Sequence, residues 1–146
     1  MEAKQMWENF IKQQSEYKDS SYNAWSYGAI PDELAGLTLQ GIKTATASAY
    51  ELYAIDSDPL PQVNDFNIIL DSKDKAVCIT KTTKVSIVPF LEVSEEHAFK
   101  EGEGDKSLES WRKEHTELFT QWYEEGNLEI HDNIPVVCEE FQVVYK

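Results

Sequence analysis

Positive charge is scarce in this chain. Its 146 residues carry 13 lysines and arginines against 27 aspartates and glutamates, a net charge of −14, and Arg112 is the single arginine. Loose binding to long nucleic acid depends on cations that neutralise phosphates. This composition therefore argues against a basic surface that grips double-stranded DNA, while leaving room for a small nucleoside or a local groove that takes single-stranded RNA. Cysteine is scarce too. Cys78 and Cys138 stand alone without a CxxC spacing, and His97, His115 and His131 add no zinc-like pattern. No metal or other cofactor is expected, and each thiol reads as buried in a strand in a reducing compartment, not as half of a disulfide. Apolar runs are short, and none approaches the roughly 20 residues that cross a bilayer. The N-terminal Met1-Glu2-Ala3-Lys4-Gln5 lacks the basic-then-apolar form of a secretory leader. A cytoplasmic protein without membrane contact is expected. With six glycines and five prolines, no linker, repeat or low-complexity tract breaks the sequence, so one domain over 1–146 is expected.

What is present suffices for a folded core. Hydrophobic residues make up 41% and aromatic residues 12%, well above the composition of disordered chains. Periodicity predicts a helix over 3–17, with Met6, Phe10, Ile11 and Tyr17 near one face. Pro31 suits the first turn of a second helix that ends near Gly41. A short strand is expected over 44–48, and 49–55 fits either a helical turn or more strand. Further strands are expected over 66–70, 76–82 and 85–90. Ser94 and Ser107 read as caps of two more helices, the second ending at Gly126. A closing strand spans 135–145, where Glu139-Glu140 would suit a bulge or an exposed edge. The mixture is α+β, helices packed on a curved sheet.

Two segments carry the candidate chemistry. In Glu101-Gly102-Glu103-Gly104-Asp105, three carboxylates alternate with two glycines before the Ser107 helix. Such a turn can bind a cation, accept hydrogen bonds, shuttle a proton, or simply cap a helix from solvent. It lacks the ligand spacing of an EF-hand loop. In Gly41-Ile42-Lys43-Thr44-Ala45-Thr46-Ala47-Ser48, a lysine and two threonines follow a helix end. A threonine hydroxyl becomes a nucleophile only with a base, and a lysine is a base only without its proton. Side chains alternate along a strand, so Lys43 and Thr46 can cooperate only if Lys43 lies in the turn, outside the strand; Thr44 is the fallback partner. The bland reading is a surface lysine beside strand-forming threonines.

These two segments, with Tyr22-Asn23-Ala24-Trp25-Ser26-Tyr27-Gly28, Val85 to Phe90, Trp111 to His115 and Val136 to Phe141, occur in an order that resembles the ASCH family. The resemblance implies a PUA-like curved β-barrel with packed helices. In small bacterial proteins of this fold, a lysine, a threonine and a glutamate act together as an amidohydrolase on N4-acetylcytidine. By motif position these correspond to Lys43, Thr46 and Glu101, with Glu103 only two residues from the last. Some relatives are reported to cleave RNA, so an RNA-binding or ribonuclease module is the alternative, and a ligand sensor without catalysis a third. The chain departs from the family pattern at Asn64, where glycine is expected, and at Glu140, where arginine is frequent.

Around that site, Trp25, Tyr22 and Tyr27 form either an aromatic platform for a base or a core anchor. Arg112 would pair with a carboxylate or hold a phosphate. His115 reads as a satisfied helix histidine, and Trp111 and Trp122 as core. Lys43 and Glu101 can meet only if the fold brings both loops to one mouth. A functional lysine there is expected to contribute little to packing, so Lys43→Ala should barely change the melting temperature.

Overall fold

A computed structural model describes residues 1–146. Five α-helices and five strands make up the regular structure of the chain. They are α1 (Ala3–Gln13), β1 (Asn23–Ser26), α2 (Pro31–Leu39), β2 (Ala45–Ala49), α3 (Tyr50–Asp56), β3 (Phe66–Leu70), β4 (Ala76–Pro89), α4 (Glu95–Glu101), α5 (Leu108–Glu125) and β5 (Pro135–Tyr145). The five strands make one sheet in the order β1-β3-β4-β5-β2. β1 runs parallel to β3, and the other neighbours are antiparallel. The sheet curls into a half-barrel, and one cleft touches the edge strand β1, the interior strands β3 and β5, and α3.

Both faces of the curl are filled. On one face α1 places Met6, Trp7 and Phe10 against Phe66, Ile68 and Ile79. On the other face α2 packs its Leu34 and Ala35 with Tyr27, Ile69 and Cys78. Ile68 and Ile69 thus serve opposite faces, as strand alternation requires. The long helix α5 lays Trp111, Phe119 and Tyr123 over Ala49, Val136 and Cys138. Both cysteines are free, buried thiols; burial raises Cys78 to about 11 and Cys138 to about 12.

The punctuation works as its chemistry predicts. Ser94 Oγ accepts from His97 N at 3.0 Å, and Ser107 Oγ accepts from Ser110 N at 3.1 Å. Asn64, standing where glycine is expected, has φ +78, the left-handed conformation that asparagine tolerates better than most residues. Four features differ from expectation. The first helix stops at Gln13, and a 3₁₀ turn, Ser15–Tyr17, follows. Residues 23–26 form a strand, because pairing with β3 overrides a segment without clear alternation. The expected strands 76–82 and 85–90 are one strand, β4, with an irregularity between Thr82 and Lys84. The Glu139-Glu140 pair is not at an edge, since β5 lies between β4 and β2 and Glu139 is buried; the bulge alternative fits better, because the β4 irregularity falls opposite Glu140 and Phe141.

Candidate functional site

Two backbone turns meet at the site, and glycine lets them. Thr44 N donates to Lys100 O at 2.7 Å, joining the start of β2 to the end of α4. Directly after α4, Gly102 adopts φ +70, and a Cβ there would lie 2.6 Å from Ile42 O. Only glycine allows that approach. The carboxylate turn is thereby pressed onto the lysine turn. Gly102→Ala should destabilise the protein by about 1–3 kcal/mol through left-handed strain and the backbone clash. Urea unfolding checks this, and a change below about 0.5 kcal/mol would contradict it.

Lys43 lies in the turn before β2, outside the strand. Its Nζ donates to Ala45 O at 2.8 Å, to Glu103 Oε2 at 2.8 Å and to Glu101 Oε1 at 3.4 Å. Lys43 and Glu101 are each 1% exposed, so neither is a surface group. The ring of Tyr27 sits 5.3 Å from the ammonium, within the range of a cation–π contact. The expectation that this lysine matters little to packing is therefore corrected: its charge is enclosed by the fold.

Glu101 is the hub. Its Oε2 receives Trp111 Nε1 at 2.5 Å and His97 Nε2 at 2.7 Å, while His115 Nε2 lies 3.5 Å from Oε1. The helix α4 puts His97 and Glu101 four residues apart on one face, and α5 does the same for Trp111 and His115, whose Nδ1 meets Trp111 O at 2.8 Å. Burial pushes the Glu101 carboxyl upward, but bonds from His115 and His97 and the Lys43 charge outweigh it. The carboxyl is held well below the usual range. For His115, burial opposes the charged form, yet the bond to Glu101 wins and raises its pKa. Glu103 differs from Glu101: burial and the nearby Glu101 charge raise it despite the Lys43 contact. Its side chain is 19% exposed, the one open carboxylate of the pair.

Thr46 stands on β2 opposite Glu139 of β5, and makes no hydrogen bond to Lys43. Thr44 Oγ1 donates to Lys100 O at 3.4 Å. The three aromatic residues separate. Trp25 is half-buried, donates Nε1 to Asn67 Oδ1 at 2.9 Å, and meets Tyr27 edge-on at 5.0 Å. Tyr27 is buried, with its hydroxyl 2.8 Å from Thr38 Oγ1. Tyr22 packs on Trp7 at 5.0 Å, in the α1 cluster. Arg112 pairs with no carboxylate; its Nη2 donates to Leu91 O at 2.8 Å. Glu140, where arginine is frequent, takes Lys100 at 3.0 Å and Lys84 at 3.8 Å.

Sequence reasoning missed His97 and His115 as partners of Glu101. The four-residue step from His97 to Glu101 was the available signal. It missed as well a polar chain across the sheet: Asn67 Nδ2 donates to Thr82 Oγ1 at 3.3 Å, and Thr82 Oγ1 donates to Glu139 Oε2 at 2.7 Å. No group of three or more potential metal ligands clusters in the structure.

An ASCH domain profile matches residues 23–145. The crystal structure of an ASCH domain from Lactobacillus crispatus is similar at 30% identity and a TM-score of 0.91, over 98% of this chain and 94% of that one. Protein EF3133 from Enterococcus faecalis is similar at 30% identity and 0.86, over 97% and 87%. Hypothetical protein PH0355 shares the fold at 17% identity and 0.54, over 85% of this chain and all of that one. No curated protein matches. The half-barrel with its packed helices is the α+β, PUA-like architecture, and the chain belongs to the ASCH domain family.

Proposed function

We propose that this chain is a small amidohydrolase acting on an acylated nucleoside of the N4-acetylcytidine kind, with Lys43, Thr46 and Glu101 at its working site. One observation carries this reading. Lys43 and Glu101, 58 residues apart, are buried against each other. A buried ion pair is weak support for stability alone, and desolvated charged groups held against each other in this way point toward use. All three N–H donors of Lys43 have acceptors, which suits it to hold a developing oxyanion and not to take a proton. Glu101, saturated by its donors, orients that charge. Glu103 is the carboxylate suited to proton transfer, because it is partly open and its pKa is raised. In this reading the Thr46 hydroxyl attacks the acyl carbon and Glu103 passes its proton to the leaving amine. Water then releases the acyl group from Thr46. Lys43 exchanges Glu103 for the substrate carbonyl when the site is filled. We read residues 1–146 as one domain of this activity.

The RNA-binding or ribonuclease reading has less support. The net charge of −14 disfavours phosphate, and Glu140 removes a cation where relatives often carry arginine. Incubation with N4-acetylcytidine and, separately, with single-stranded RNA decides between them. Cytidine should form and the RNA should stay whole. Strand scission without cytidine release would replace the hydrolase reading with the nuclease one.

A further inference from the structure

We infer that the cleft beside Trp25 binds the base of an unphosphorylated nucleoside, with the second carboxylate oxygen of Glu139 accepting from an amino group of that base. The cleft holds about 530 Å³, room for a base and its sugar. Trp25 lines it together with Pro59, Leu60 and Pro61, giving apolar surface for a planar ring. Its charged lining is entirely acceptor: Glu139, Asp58 and Asp65 contribute carboxylates, and no lysine, arginine or histidine is present. A phosphate would meet three negative groups and no cation.

The orientation of Glu139 is fixed from behind. Donors run one way, from Trp25 Nε1 to Asn67, from Asn67 Nδ2 to Thr82, and from the Thr82 hydroxyl to Glu139 Oε2. Each residue of the chain donates to the next, so the relay ends on an acceptor. Oε1 makes no hydrogen bond within the protein, and it is not sealed from solvent. Glu139 is nonetheless 8% exposed as a residue. A carboxylate desolvated and aimed in this way is costly unless something uses it. Burial raises its pKa, with the Thr82 bond opposing and the Asp65 charge adding. Thr46 faces Glu139 in strand register. A base held at Glu139 therefore lies beside the threonine of the proposed site, which the catalytic motif alone would not indicate.

The ligand class rests on the nucleoside reading above, so the test measures binding and not turnover. The ¹⁵N-labelled full chain is titrated with cytidine and with cytidine 5′-monophosphate, and the indole N–H signal of Trp25 is followed. Trp25→Phe assigns that signal. Cytidine should shift it in a saturable way and leave the Trp111 indole in place, while the monophosphate should bind at least ten-fold more weakly. Glu139→Gln should weaken cytidine at least ten-fold, because an amide that keeps Thr82 on its oxygen turns an NH₂ toward the cleft. Should that variant fail to fold, the comparison of the two ligands on the unaltered protein still decides. A Trp25 signal that cytidine does not move, or a monophosphate that binds as tightly as cytidine, overturns the assignment. So does unchanged cytidine affinity in a folded Glu139→Gln protein, even one that hydrolyses N4-acetylcytidine. Saturable cytidine binding with all these contrasts, in a protein that leaves N4-acetylcytidine intact, supports the cleft and removes the hydrolase reading alone.

Discussion

Lys43→Met should lower the unfolding free energy by about 3–5 kcal/mol. Methionine fills nearly the same space, so the loss reports charge and not volume. Removing the ammonium leaves Glu101, 1% exposed, and Glu103, 19% exposed, facing each other without their cation. A buried carboxylate deprived of its partner is far costlier than a surface one. Lys43→Arg should also destabilise, because a planar fork cannot place its donors on Ala45 O, Glu101 and Glu103 as a compact ammonium does. Adding Glu103→Gln to Lys43→Met should recover part of the loss by removing one of the stranded charges. Urea unfolding of the three variants measures this. A loss below about 1 kcal/mol for Lys43→Met would mean that the pair is solvated in solution.

Glu101→Gln should flatten the pH dependence of stability on both sides. The folded carboxyl lies well below its ordinary value. Its contribution is therefore present above the unfolded pKa and is lost as pH falls through the folded one. The folded His115 lies above its ordinary value. Its contribution is present below the unfolded pKa of about 6.5 and is lost as pH rises through the folded one. One contact, His115 Nε2 to Glu101 Oε1, couples the two limbs. The amide cannot titrate and attracts neither His115 nor Lys43 as a charge. The difference in unfolding free energy between wild type and Glu101→Gln should thus be largest between the two unfolded values, from about pH 4.5 to about 6.5, and shrink toward both extremes. In that window it should reach about 3 kcal/mol, within the range for breaking a buried pair. Urea melts from about pH 3 to 9 follow it. A difference that stays constant across that range would remove Glu101 from the pH dependence.

Much of this site is local in sequence, and that part was legible. The lysine turn follows a helix end at Gly41, and the carboxylate turn precedes a serine cap, so both loops could be placed before their meeting was known. Glycine at 102 marked a turn, but not that the turn would press on Ile42. The histidines were misjudged for a different reason. His115 sits in the apolar stripe of α5, and nothing within α5 reveals that α4 brings a carboxylate to the same place. Lys43 was misjudged because burial depends on what covers a turn. Glu139 was hardest to see. In a strand, alternation gives the face, but the identity of the face comes from register with β4 and β2. Two adjacent glutamates look like an exposed edge until β2 is found to pair beside them.

Thr46 offers the most direct measurement of the proposed activity. Thr46→Val keeps the shape and the strand preference and removes only the hydroxyl, and Thr46 makes no hydrogen bond to the Lys43 ammonium that its loss would break. Steady-state release of cytidine from N4-acetylcytidine is compared for the wild type and this variant at matched folded concentration. The wild type should turn over the amide, and Thr46→Val should lose roughly a hundred-fold or more in kcat with an unchanged melting temperature. A wild type that releases no cytidine, or a Thr46→Val variant that releases it at the wild-type rate, would contradict the account.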